Sequence, residues 1–242
     1  MRLIYVHGAC VRDGEWWWHR MVGPLAEAGL RSRTVALPSC RDDVAGGAVP
    51  GGIAGGAGLG DLYDDVDAVR AVLDEDDEPA VLLGHSYSGV VITEAGAGHP
   101  AVRRLLYVSS VMPDVGESQG AIVGTDPAPW LDPSADGTIG VQPDSVRQLF
   151  VQDCDGPTQD AAVGRLTRQA MTVFGQPVRA AAWRDVPSTY VVCTDDLAIP
   201  AEAQRERAKH ATQLVEFAAG HHPFLSRPED FAGLLVDVVA PG

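Results

Sequence analysis

Ala80-Val81-Leu82-Leu83-Gly84-His85-Ser86-Tyr87-Ser88-Gly89-Val90-Val91-Ile92 is the stretch that decides how this chain is read. Ala80 to Leu83 is a short apolar run of strand character. The next residues form a small-residue turn around Ser86, and Val90 to Ile92 enter a helix. A serine held in a sharp strand-to-helix turn is strained and carries its hydroxyl above the sheet. The turn closes only if the residues two before and two after it are small. Gly84 and Ser88 meet that condition, although Ser88 stands where glycine is usual and Gly89 follows one place later. Ser86 is the expected nucleophile.

Outward from this turn, apolar runs recur at Leu3 to Val6, Thr34 to Leu37, Leu105 to Ser109, Thr189 to Cys193 and Gln213 to Phe217, with helical stretches between them. Alternation of this kind implies crossovers and a parallel sheet. Asp61 can cap a helix whose Leu62, Val66, Val69 and Leu73 share one face, and Gly29 can close the helix containing Leu25 and Ala26. Ser226-Arg227-Pro228-Glu229 reads as a capping box before a final helix. The glycine-rich stretch 45–60 reads as a loop, and without a phosphate-loop lysine it is no nucleotide cradle. In 113–186 Pro, Asp and Gly dominate first, and a helical pattern then appears at Val163, Leu166, Ala170 and Phe174. The expected fold is α/β: a mostly parallel sheet of about six strands with helices on both faces, formed by 1–112 and 187–242. The interval 113–186 reads as an insertion, mainly helical, that covers one edge of the sheet.

At 242 residues and 45% hydrophobic, the chain can bury one core of ordinary size. Its formal net charge of -15 argues against nucleic acid or anionic lipid as partner, since both require clustered cations. The acidic run Asp74 to Glu78 reads as a solvated turn, and four scattered cysteines read as free thiols. No leader or membrane-spanning run is evident, so a cytoplasmic protein is expected, and a homodimer is compatible with the chain.

A serine hydroxyl attacks only when a base takes its proton. His221 and His222 follow the last strand-like run and precede the final helix, which puts them at the sheet edge where Ser86 emerges. An orienting acid is offered by Asp195 or Asp196, directly after Tyr190 to Cys193, and less well by Asp114. Oxyanion donors would be the backbone amides of Tyr87 and, after the first strand, Ala9. Cys10 reads as a small group lining the mouth, and His7 as a residue that fixes its loop.

Taken together, His7-Gly8-Ala9-Cys10 with Trp16 to Trp18, Gly84-His85-Ser86-Tyr87, Tyr107-Val108 with Met112-Pro113-Asp114, Val192 to Asp196, and Gly220-His221 resemble one branch of the α/β-hydrolases. That branch holds the plant methyl esterases, such as the salicylate-binding esterase, the plant hydroxynitrile lyases, and bacterial esterase relatives. The resemblance spans most of the chain. It implies Asp196 rather than Asp195 as the acid, His221 as the base, and a cap over 113–186. The lyases carry threonine where Gly8 stands and lysine where His222 stands, and both lyase features are missing here.

The expected activity is cleavage of a carboxylic ester or lactone through an acyl-enzyme on Ser86, with no cofactor and no metal. The alternatives are a lyase, cyclase or C–C bond hydrolase using His221 as general base, or a ligand-binding module. The substrate is a small molecule, apolar or aromatic, because Cys10, His222, Trp130 and Trp183, with Phe150 and Phe174, are the expected pocket. Few positive charges stand near the proposed mouth, apart from Arg12 and Arg41, which disfavours a strongly anionic substrate.

Overall fold

The computed structural model describes residues 1–40, 58–124 and 128–239. Strands are numbered along the chain: β1 (Arg2–Val6), β2 (Arg31–Val35), β3 (Ala80–His85), β4 (Val102–Val108), β5 (Leu131–Pro133), β6 (Thr138–Val141), β7 (Gln169–Ala170), β8 (Ser188–Cys193) and β9 (Gln213–Phe217). Six of them form one sheet in the order β2-β1-β3-β4-β8-β9, and every neighbouring pair is parallel. Each apolar run expected to be a strand overlaps a strand of this sheet, although the second begins earlier than expected, at Arg31, and ends at Val35, before Leu37.

Side chains along β1 alternate between two cores: Ile4 and Val6 face one, Leu3 and Tyr5 the other. Helix α1 (Gly14–Glu27) and the last helix (Pro228–Val239) cover the second face through Trp17, Met21, Leu25, Phe231 and Leu235. Helix α2 (Leu62–Leu73) and helix α3 (Ser88–Ala95) cover the first. The α2 face expected from sequence is buried throughout, and Asp61 and Asp64 close a reciprocal capping box. At the end of α1, Gly29 takes φ +76, a left-handed conformation that costs glycine little.

Three local expectations change. Ser226 does not cap the last helix. Pro228 is that helix's first residue, so Ser226 lies one place too early, and its hydroxyl donates to the His222 carbonyl instead. The helical pattern at Val163 to Phe174 is not one helix. A helix over Gly156–Val163 stops at Gly164, and the chain then runs extended, because the Thr167 and Ala170 amides donate to the Cys10 and Ser39 carbonyls. The segment 113–186 accordingly holds the antiparallel sheet β5-β6-β7 beside its short helices. The glycine-rich stretch lies, up to residue 57, outside the described residues.

Candidate active site

The turn after β3 is as strained as its sequence demands. Ser86 has φ +55, and Tyr87 leads directly into α3. A Cβ on Gly84 would stand 2.9 Å from Ile92, and one on Gly89 would strike Ser110 and Val111 at 2.1 and 2.2 Å. Ser88 is small enough to fit and also ties the turn down. Its hydroxyl accepts from the His85 amide at 2.8 Å and donates to the Val6 carbonyl at 2.6 Å, which explains a serine in place of glycine. Cys10 (φ +57) and Ser109 (φ +44) are also left-handed, just beyond β1 and β4. Strain thus gathers at the carboxyl edge of the sheet, where ligands bind in parallel α/β folds.

The loops after β8 and β9 bring Asp196 and His221 together. His221 Nδ1 lies 2.7 Å from Asp196 Oδ2, and both side chains are almost fully buried. The same carboxylate accepts from the Ser109 hydroxyl at 2.7 Å, the Gln204 amide at 3.2 Å, and the Ala198 and Ile199 amides at 2.8 and 2.9 Å. Burial opposes its charge. The charge on His221, its hydrogen bond, and the Ile199 and Ser109 donors outweigh that and hold the carboxyl below its ordinary pKa. Asp195 points elsewhere, with an exposed side chain, and Asp114 pairs with Arg184 at the surface. Of the three candidate acids, only Asp196 reaches the imidazole.

His85 fixes the His221 loop from below by donating from Nε2 to the His221 carbonyl at 2.8 Å. Burial, followed by the charges of His221 and His222, pushes its pKa well below the usual histidine value, so it is neutral. His222 is likewise held neutral, pushed down to about 3 by burial first and His221 second, and its Nδ1 bonds the Phe150 carbonyl at 2.9 Å. Two further residues of the 113–186 segment grip these loops: Gln152 donates to the Asp195 carbonyl, and Asp153 accepts from the Gly220 amide at 2.7 Å. A Cβ on Gly220 would stand 2.6 Å from Asp153, so only glycine permits that clamp.

On the other side of Ser86, Gly8 lets the loop after β1 come close; a Cβ there would meet His85 and Ser86 at 3.1 and 3.2 Å. Gln169 of β7 accepts from the Cys10 amide at 3.0 Å and donates to the Ser39 hydroxyl at 2.9 Å. Ser39 bonds the buried Asp65 through its amide and hydroxyl at 2.9 and 2.6 Å, and the Tyr87 hydroxyl reaches the same carboxylate at 2.8 Å. Burial pushes the Asp65 carboxyl up to about 7, against the pull of Ser39 and Tyr87. Sequence reading missed Asp65, Ser39, Ser109, Gln169 and Gln204, because each acts through contacts across the fold and carries no local motif.

A cavity of about 530 Å³ lies over this edge, bordered by Ser86, His221, His222, Trp130, Phe150 and Phe174. Ser86 and His221 both border it. Trp130 and His222 are where they were expected. Cys10 and Trp183 are not. The left-handed turn at Cys10 sends its thiol toward the Ile139 carbonyl, out of the lining, and Trp183 donates to the Pro113 carbonyl and stacks on His210. Few positive charges were expected near the mouth, with Arg12 and Arg41 as the candidates; it is Arg207 that borders the cavity, whereas Arg12 bonds the Gly164 carbonyl and Arg41 lies outside the described residues.

The family model described as "Alpha/beta hydrolase family" matches residues 3–234. Among curated relatives, an alpha/beta hydrolase of Aspergillus novofumigatus is 35% identical over 69% of this chain and 73% of its own length. Methylesterase 7 of Arabidopsis thaliana is 22% identical over 98% of this chain and 95% of its own. The crystal structure of a pyrethroid hydrolase from Sphingobium faniae superposes with a TM-score of 0.82 at 23% identity, covering 98% of this chain and 96% of that one. The fold, the breadth of the family match and these relatives agree: the chain belongs to the alpha/beta hydrolase family.

Proposed function

We propose that this chain is a serine hydrolase that cleaves a carboxylic ester or lactone of a small, largely apolar substrate. The observation that carries the reading is His221, paired with the buried Asp196, bordering the same cavity as a serine held at φ +55. His221 takes the Ser86 proton as the hydroxyl attacks the carbonyl, and Asp196 stabilises the imidazolium that results. The Ala9 and Tyr87 amides, neither bonded to another described residue, face the negative oxygen. His221 then returns its proton to the leaving alcohol, and water activated by the same ring releases the acid. Relatives named methylesterase and pyrethroid hydrolase support ester chemistry. The lyase alternative needs a cation beside the base to receive a departing anion. His222 stands in that place and is neutral, which weighs against it.

Replacing Ser86 by Ala should lower kcat/KM on a p-nitrophenyl ester by roughly 10^4-fold. Intact-mass measurement after a fluorophosphonate should show one adduct on the wild type and none on Ser86→Ala. Turnover that survives the substitution defeats the assignment of Ser86. Turnover without any adduct favours general-base chemistry by His221.

A further inference from the structure

Arg207 is a charged feature of the cavity that the proposed chemistry leaves unused. It ends the helix Ala201–Arg207 and borders the same space as Ser86 and His221. Its Nη1 is buried and has no hydrogen-bond partner among the described residues. Every other arginine among the described residues donates to a carbonyl, a hydroxyl or a carboxylate. Burial weighs against the charge of Arg207, and the charges of Tyr190 and Asp196 favour it. Asp196 is already committed to His221.

An unpaired guanidinium taken partly out of water is unfavourable unless something bonds it, and its planar donors fit a carboxylate in a bidentate manner. A purely structural role at the helix end would place those donors on the terminal carbonyls. Arg207 bonds none of them, and Arg205, in the same last turn, pairs with Glu216 in solvent. Nor does the net charge of -15 prevent an anion from binding there, because exposed charges are screened within about 8 Å at physiological salt.

We propose that Arg207 is an anchoring site for a carboxylate on the substrate, distinct from the ester group that is cleaved. The preferred substrates are then apolar esters or lactones that carry a free carboxylate, such as half-esters of dicarboxylic acids. This rests on the reading of Ser86 as nucleophile only in naming which esters are cleaved; the carboxylate site itself does not depend on it.

The test compares monomethyl with dimethyl esters of the linear dicarboxylic acids from succinate to sebacate, using the intact protein, Arg207→Met and Arg207→Lys. In parallel, hydrocinnamate and hydrocinnamamide are titrated calorimetrically. At the best chain length, the ratio of kcat/KM for half-ester over diester should fall about 10- to 100-fold in Arg207→Met and recover in part in Arg207→Lys. Hydrocinnamate should bind the unmodified protein more tightly than its amide, lose that advantage in Arg207→Met, and weaken with added salt. A ratio unaffected by Arg207→Met overturns the inference. So does hydrocinnamate bound no better than its amide by the unmodified protein, a result that needs neither a folded variant nor turnover. If no ester is cleaved but hydrocinnamate still binds through Arg207, the carboxylate site stands and the Ser86 reading falls.

Discussion

Two buried aspartates flank Ser86, and their surroundings drive them in opposite directions. Asp196, on the β8 side, faces five donors, one of them on a histidine that can become positive. Asp65, on the α2 side, faces only the neutral donors of Ser39 and Tyr87. Burial alone raises a carboxyl pKa, and hydrogen bonds from neutral groups only partly offset it. Hence Asp196 is held below the ordinary value, while Asp65 is pushed up to about 7. The difference separates two tasks: a carboxylate that must stay charged to stabilise an imidazolium, and one that joins Ser39, Gln169 and Tyr87 into a brace behind the Ser86 turn.

The largest expected effect sharpens this contrast. Asp196→Asn should cut kcat/KM by roughly 10^4-fold, because the amide no longer balances a protonated His221 and favours the wrong tautomer. Asp65→Asn should cost no more than about 10-fold, and equal losses for the two variants would erase the distinction drawn here. Next comes Ser109→Ala, which removes one of the five donors to Asp196 and should lower kcat/KM about 3- to 10-fold while circular dichroism stays unchanged. Smaller again is Tyr87→Phe, which takes one donor from Asp65; a fall in Tm of about 2–4 °C is expected by scanning calorimetry.

The last prediction concerns pH. Asp65 keeps its proton in the folded state up to about 7 but would release it near 3.8 when unfolded. Its contribution to stability is therefore full below pH 3.8 and is lost as pH rises toward 7. Asp196 has the opposite sign: its contribution is present above the unfolded value and is lost as pH falls through its lowered folded one. Between about pH 4 and 7 the Tm should drift downward through Asp65, and Asp65→Asn should flatten that drift. A Tm profile identical in the two proteins would mean that Asp65 does not titrate in this range.

Legibility in the sequence divides along the same line. The Ser86 turn and the six strands could be read because alternation, glycine and small residues act over neighbouring positions, and the chain order of the acid and the base follows from the strand order. The capping of the last helix failed by one residue, since a proline inside a serine–glutamate pattern shifts where the helix begins. The run Val163 to Phe174 looked helical because its apolar positions happen to fall at helical spacing; in its middle the Thr167 and Ala170 amides are satisfied instead by Cys10 and Ser39, more than a hundred residues away. Cys10 and Trp183 were misplaced for a related reason. A residue type indicates what a side chain can line, and its backbone conformation and distant partners decide where it points.

By itself the sequence determined a strained serine at the end of a parallel strand, with a histidine and one of two aspartates on later loops of the same edge. Tertiary structure decided which aspartate reaches the ring, which residues hold its charge, and that Arg207 borders the cavity. Periodicity and turn chemistry are local properties, encoded residue by residue. Desolvation and hydrogen-bond partnership arise only when elements distant in the chain close on one another and exclude water.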